Sequence, residues 1–481
     1  MLTSIIEGGT MKKRNLLQLY YKNWEEKMKK ILITFLCAIM VMVFMPTMAF
    51  AAENDVFEVT KNGETTTYST AVDAVASVAN GETATIKLLD DYSGGGVKVD
   101  GTGKNITFDL NGFTWTIGTP LVGSAGTETN AFQLLKDNTV TFQNGTITSN
   151  IAKILFQNYA NLTLDNVEAS LTTEGTGYYA ASNNNGTTLI KGGTVITVPE
   201  GNYAMDSFTF GDYAGGNVVV EDASIMGDVE VANGGKLTLK GGLIYGDVTV
   251  YNYKYDQNVE KQSQFTMETG IISGDLKTSE KGITIVNNGM VEGTVDLEPS
   301  KGATATIKGG YFNAIGDAVA VDSDVVVDFD AEGEILSAVG DTAVSQLLSS
   351  LEEVLTPEEL ALVKLNVEKA PAEYKMDVPV GITVVNNTEN DINVNDQMVE
   401  ANGELTVTAP DVNEGTDDTK NPPTTDDEKD PVDEQKPVDE EKTDDEVVKT
   451  ADANDMLPWL ALMAVMAIGA TTAAVVKRRE N

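Results

Sequence analysis

Between about Ile106 and Phe312 one unit recurs along the chain: a short alternating strand, a pair of small or amide residues, and a second short strand. The pairs are Asn111-Gly112, Asn144-Gly145, Asn166-Val167, Gly192-Gly193, Asp222-Ala223, Gly241-Gly242, Thr269-Gly270, Asn288-Gly289 and Gly309-Gly310. Their spacing, roughly 20 to 30 residues, is that of solenoid coils. A sharp corner between strands often needs backbone at positive φ, which Gly and Asn tolerate and branched residues do not. Within the strands, Val140 with Phe142, Leu162 with Leu164 and Leu237 with Leu239 alternate with polar residues, so apolar side chains face inward and polar ones outward. Stacking about nine such rungs buries a continuous apolar column. The expected fold is an all-β parallel β-helix. A β-sandwich or tandem Ig-like domains also use short strands and frequent turns, but the recurring unit and the lack of a Cys-Trp-Cys framework favour the solenoid.

Short helices are expected at both ends of this solenoid, which spans residues 52–335. Thr70 is placed to cap a helix with Asp73 three residues on, Val72, Val75, Ala76 and Ala79 share one face of it, and Gly81 stops it. The strand Thr83 to Leu89 follows. A second apolar stripe, Val344, Leu347, Leu348, Leu351 and Leu355, precedes Thr356-Pro357-Glu358-Glu359, a strong helix start. Residues 336–371 therefore read as a helical C-terminal cap and 372–409 as a small β-rich segment. Residues 410–449 are rich in Asp, Glu, Lys, Pro and Thr, with Pro431-Val432-Asp433-Glu434 echoed by Pro437-Val438-Asp439-Glu440. Too few apolar residues remain there to offset ordering entropy, so a disordered acidic linker through the cell wall is expected.

The chain's two ends bear on its location. Met28, Lys29 and Lys30, an apolar run from Ile31 to Met45, Pro46 and Ala49-Phe50-Ala51 form a secretory signal over 28–51, with cleavage expected after Ala51. Residues 1–27 add nothing to export and read as an upstream mis-start. The single cysteine, Cys37, lies in the apolar run without a lipobox, so the secreted chain is expected to have no thiol or disulfide chemistry. Residues 456–476 are long and apolar enough for a transmembrane helix, and the basic tail 477–481 begins Lys477, Arg478, Arg479, which places the preceding body outside the cell. This ending resembles Gram-positive sorting signals. At the motif position stands Val448-Lys449-Thr450-Ala451-Asp452, with Val448 where proline and Ala451 where glycine belongs, so 450–455 is a degenerate sorting region. Attachment to peptidoglycan through Thr450 and a simple membrane anchor both account for these residues. The expected location is the extracellular face of a Gram-positive cell.

Residues 53 to about 330 also resemble the pectate-lyase-like β-helical surface proteins of gut Firmicutes. The resemblance is carried by Tyr68 to Asp91 with its TIKLLDD, then NITFDLNGFTWTI, LVGSAGTETN, NTVTFQNGTITSN and NLTLDNV. It implies a right-handed parallel β-helix and says little of activity, since that fold hosts many functions.

Between Ala52 and Val476 there is no histidine, arginine or cysteine. Ser-His-Asp and Cys-His machinery and His-based zinc sites are thereby excluded. Pectate lyases of the resembling fold use an arginine base, and polygalacturonases use aspartates supported by His and Arg; neither set carries over. Paired carboxylates alone can cleave glycosides, yet with 73 acidic residues chance pairs are unavoidable. The densest cluster is Asp322, Asp324, Asp328, Asp330 and Glu332, of one parity, with Val325, Val327 and Phe329 of the other. Hard oxygen ligands of this kind suit Ca²⁺. The solvated outer face of a final rung is the simpler reading, and no other cofactor is expected.

Tyr251, Tyr253 and Tyr255 share parity and could offer an aromatic ladder for sugar rings, against a locally packed Tyr-rich edge. Trp115 sits in the repeated strand pattern and reads as core.

The formal charge is −40; removing residues 1–51 takes seven Lys/Arg and three Asp/Glu from totals of 33 and 73, leaving −44. Such acidity argues against nucleic acid and anionic membrane surfaces as partners. The expected role is a non-catalytic adhesin or scaffold for glycans or host extracellular glycoproteins, with peptidoglycan a partner if sortase acts. A polysaccharide lyase or glycoside hydrolase working with paired carboxylates and a structural coat component are the alternatives.

Overall fold

The computed structural model describes residues 55–209, 216–252, 262–299, 302–331 and 333–409. Ala51, Tyr253, Tyr255, Thr450, the acidic linker and the 456–476 span lie outside these residues. Among the described residues no helix is long and apolar enough to cross a membrane. From Val56 onward the chain forms one unit, a right-handed parallel β-solenoid.

Each coil lays down three strands, and equivalent strands of successive coils pair in parallel on three faces. The first face runs from Thr83–Leu88 through Asn105–Asp109 and the leading halves of Thr139–Ser149 and Asn161–Leu171 to Thr304–Ile307. The second begins at Tyr92–Gly94 and Thr114–Ile117, and the third at Val97–Val99 and Thr127–Leu134. Ten coils put a strand on all three faces, one more than the corner pairs indicate. The extra coil is the first, whose corner carries Asp90-Asp91 in place of Gly or Asn. The Asp91 carboxylate accepts the Thr114 N–H of the next coil at 2.8 Å, so a side chain does the work that backbone freedom does elsewhere.

The corner residues behave as the sequence implies. Asn111, Asn144, Asn166 and Asp222 adopt φ between 50° and 59°. A second corner motif escaped the sequence reading: Gly227-Asp228, Gly246-Asp247 and Gly274-Asp275. Asp228 Oδ1 accepts the Asp247 N–H at 2.9 Å, Asp247 Oδ1 accepts the Asp275 N–H at 2.9 Å, and Asp275 Oδ1 accepts the Thr294 N–H at 2.8 Å. Lys277 neutralises two rungs of this ladder, with Nζ 3.0 Å from Asp247 and 2.9 Å from Asp275. A Cβ at position 274 would overlap Asp247 Oδ1 and the Gly246 carbonyl, which is why the residue before the aspartate has no side chain.

In-register stacking makes the interior a set of columns. Phe108 stacks on Phe142 with centroids 4.7 Å apart, and Phe132 on Phe156 at 5.3 Å. Trp115 is fully buried against Phe57, Phe108 and Phe132, as its place in the strand pattern implies. Its Nε1 has no hydrogen-bond partner among the described residues. Polar residues inside also stack: Asn158 Nδ2 donates to Asn183 Oδ1 at 2.9 Å, and Asn183 Nδ2 donates to the Gly186 carbonyl at 3.0 Å.

At the N-terminal end, Phe57–Lys61 pairs antiparallel with Thr83–Leu88, and a helix α1, Ala71–Ala76, lies beside it with Thr70 Oγ1 accepting the Asp73 N–H. The buried face of α1 is Ala71, Ala74 and Val75, continued by Val78; Val72 is 56 % exposed. Two Ala/Val stripes of identical spacing run through this short segment, and packing rather than periodicity selects between them.

After the coils, Val326–Ala331, Glu334–Val339 and Val363–Lys369 continue the sheet antiparallel, and Thr383–Asn386 and Glu404–Thr406 extend it. Helix α2, Asp341–Val354, buries Val344, Leu347, Leu348 and Leu351. Helix α3, Pro357–Leu360, begins with a capping box between Thr356 and Glu359. The apolar stripe of α2 joins a cluster with Met290 and Tyr311, neighbours of Val291 and Phe312, which point instead into the coil interior. The helix thus packs outside the second face of the last coils. Residues 372–409 share this second core through Tyr374, Met376, Ile382, Val384 and Val407. Among the described residues every member of both cores lies between Phe57 and Val407, so residues 52–409 contain both of these cores.

In such a chain Trp115 is the only tryptophan and reports unfolding by fluorescence. Phe142→Ala, which empties a stacked column, is expected to lower stability in urea by about 3–5 kcal/mol. Gly274→Ala, by overfilling the corner, should cost about 1–3 kcal/mol. An unchanged urea midpoint in either variant contradicts the column and corner assignments.

Candidate functional site

The third face carries the densest group of perturbed titratable side chains among the described residues. Ser182, Asp206 and Glu230 occupy one register position on three successive coils. Tyr179 and Tyr203 occupy another, and their rings stack with centroids 5.0 Å apart and planes 14° from parallel. Tyr251, one coil beyond Glu230, completes the group.

Glu230 is the hub. Its Oε2 accepts the Tyr179 hydroxyl at 2.8 Å and its Oε1 accepts the Tyr251 hydroxyl at 3.0 Å. Tyr203, stacked on Tyr179, lies within the influence of the same carboxylate. Burial, then the nearby Glu230 charge and these hydrogen bonds, push the Tyr179, Tyr203 and Tyr251 hydroxyls above the ordinary phenol range, so they stay protonated donors. Asp206 is only 8 % exposed. Its Oδ1 accepts the Asn183 N–H at 2.7 Å and its Oδ2 accepts the Ser182 hydroxyl at 3.1 Å. Burial outweighs these two bonds and, with the Glu230 charge, pushes the Asp206 carboxyl up to about 7. Burial and the Asp206 charge likewise raise the Tyr159 hydroxyl.

A carboxyl that holds a proton near neutrality beside a second carboxylate is a combination used in acid–base chemistry. Here, however, the oxygens of both groups are engaged by donors of the protein itself. The stacked tyrosines are also turned toward each other along the coil axis. Ring faces that pack coil on coil are not presented to solvent as a platform for a sugar.

Of the residues singled out in the sequence, Tyr251 belongs to this cluster as a hydrogen-bond donor, while Tyr253 and Tyr255 lie outside the described residues. Asp328 and Asp330 stand on the strand Val326–Ala331, with Val327 and Phe329 buried on the opposite side, as parity implies. Asp322 and Asp324 precede that strand and are exposed. Asp330 accepts the Gly333 N–H at 2.8 Å, and burial raises the Asp328 carboxyl. Among the described residues no three acidic side chains form a group able to hold a metal ion.

Tyr179, Tyr203, Asp206 and Glu230 were not found from the sequence. The signal was present as coil-length spacing, with Ser182 and Asp206 24 residues apart, but aligning them requires knowing where each coil begins. Comparison with known proteins returns no matching family model, no similar curated protein and no similar solved structure. The resemblance to pectate-lyase-like proteins therefore stands at the level of architecture.

The Asp206 environment sets a pH dependence. The folded pKa, about 7, lies above the ordinary 3.8, so the folded state keeps a proton that the unfolded chain gives up first. Its contribution to stability is complete below pH 4, is lost as pH rises to about 7, and changes no further above that. The full span corresponds to at most about 4 kcal/mol. Asp206→Asn mimics the protonated carboxyl and should remove this slope, so that the variant gains on the wild type between pH 4 and pH 8 in urea unfolding. Parallel pH profiles for the two proteins would falsify the buried, proton-holding assignment.

Proposed function

We propose that the chain is a secreted, surface-anchored, non-catalytic β-solenoid of a Gram-positive bacterium, acting as an adhesin or as a binding scaffold for glycans or host extracellular glycoproteins. The signal-like segment 28–51, the apolar span 456–476 and the basic tail are the sequence features behind the location. The observation that carries the binding role is the repetition of the outer surface. Coil after coil presents in-register polar side chains on the first face, the kind of extended surface that solenoids use to engage long ligands. The acidic net charge keeps nucleic acids and anionic membrane surfaces out of the partner list.

One observation favours a second reading, a glycosidase or lyase: the neutral-range Asp206 stands in register with Glu230. Both readings meet the same assay. Residues 52–409 applied to a panel of glycans and host glycoproteins should be retained on some of them without releasing reducing ends or unsaturated sugars. Product release that disappears in Asp206→Asn and Glu230→Gln would establish the enzyme reading instead. No retention and no product would remove both.

A further inference from the structure

We infer that the first face binds a neutral, extended polysaccharide lying along the coil axis, an inference that rests on the binding-scaffold reading and narrows it to one surface and one ligand class. Three outward columns lie on this face; the last, Lys87, Asp109, Gln143, Asp165 and Lys191, runs along its edge and carries the charges, and the other two form the surface for the ligand. One is Thr83, Asn105, Thr139, Asn161, Thr187, Asn217, Lys236, Gln264, Ile283 and Thr304. The other, two residues further along each strand, is Thr85, Thr107, Thr141, Thr163, Leu189, Val219, Thr238, Thr266, Ile285 and Thr306. The intervening residues, such as Ala84, Ile106, Val140 and Leu162, are buried, which fixes the two columns outward.

Three properties of the columns point to the ligand. Lys236 is the only charged residue in either, in a protein whose composition is 22 % charged and whose net charge is −40. The charges of this face are gathered instead at its edge, where Lys191 pairs with Asp165 and Lys240 with Glu221, both at 3.0 Å. A polyanion would meet the net negative field with neither arginine nor histidine to bind it, and a polycation would find no carboxylate in these two columns, only those of the edge, where Asp165 is already paired with Lys191. An uncharged ligand fits this distribution.

Next, the hydroxyls of Thr85, Thr107, Thr141 and Thr163 make no hydrogen bond within the described protein; each offers one donor and acceptor lone pairs. A sugar hydroxyl has the same dual character and can exchange both bonds with such a group. Finally, the groups repeat at the coil spacing of about 4.8 Å and the columns stand about 7 Å apart. The coil spacing is close to the length that one pyranose ring adds to an extended chain, so a chain laid along the axis meets one coil after another. Leu189, Val219 and Ile285 interrupt the hydroxyl row with patches suited to the C–H faces of the rings.

The test uses residues 52–409 and their triple variant Thr107→Val, Thr141→Val, Thr163→Val. Valine keeps the β-branched shape and strand preference while removing three hydroxyls. Affinity is measured on β-glucan, xylan and galactomannan as neutral polymers and on polygalacturonate and heparin as acidic ones, with sedimentation of both proteins alongside. The inference expects retention on at least one neutral polymer and none on the acidic ones. It also expects at least tenfold weaker binding in the triple variant. Thr163→Lys alone gives a second reading should the triple variant lose its Trp115 unfolding transition, and it should also weaken binding. Retention confined to the acidic polymers, or wild-type affinity in a folded triple variant, overturns this inference and leaves the scaffold reading standing. A change in oligomeric state without a change in glycan binding overturns it in favour of a second copy of the chain on this face. Retention on no polymer and no glycoprotein overturns both.

Discussion

The parallel backbone ladder between successive coils is the constraint on which the rest of this structure depends. Each coil-to-coil hydrogen bond contributes only about 1 kcal/mol net, but an unmade one in the interior costs more than a made one returns. Every coil must therefore repeat the register of the last. Once register is kept, any side chain stands directly over its equivalent in the next coil. Phenylalanines stack on phenylalanines, Asn158 bonds to Asn183, and the aspartates of the Gly-Asp corners cap one another's successors. Only the ends need a different solution. The strand Phe57–Lys61 with α1 supplies one, and the antiparallel strands after Ala320 supply the other.

That same constraint explains how much was legible beforehand. Corners at positive φ and strands of strict alternation leave local marks, so the coil architecture, the buried Trp115 and the Thr356 capping box could be read from neighbouring residues. The first coil was missed because its corner relies on the Asp91 carboxylate, a long-range bond with no local mark. The face of α1 was misread because Val72 and Ala71 head equally good stripes, and only the strands packed against it decide. The Tyr179, Tyr203, Asp206 and Glu230 cluster was hidden because coils differ in length, so residues adjacent in space have no fixed separation in sequence.

The two outer faces put stacking to different uses. On the third face the stacked groups satisfy each other: tyrosine rings cover tyrosine rings, and Glu230 absorbs the hydroxyls around it. That arrangement holds a proton on Asp206 at the expense of exposed recognition groups. On the first face Thr187 donates to Asn161 and Thr266 accepts from Gln264, but the hydroxyls of Thr85, Thr107, Thr141 and Thr163 repeat without such partners, and the charges are kept to the edge. The more perturbed surface is therefore the more self-contained, and the plainer one is the better placed to receive a ligand.

The most direct test of this account is a crystal structure of residues 52–409 grown with a neutral oligosaccharide that the panel retains. The account predicts ten stacked parallel coils with the sugar chain lying along the Thr107, Thr141 and Thr163 column. A sugar seated against Glu230 and Tyr251, or strands paired as a sandwich rather than coil on coil, would contradict it.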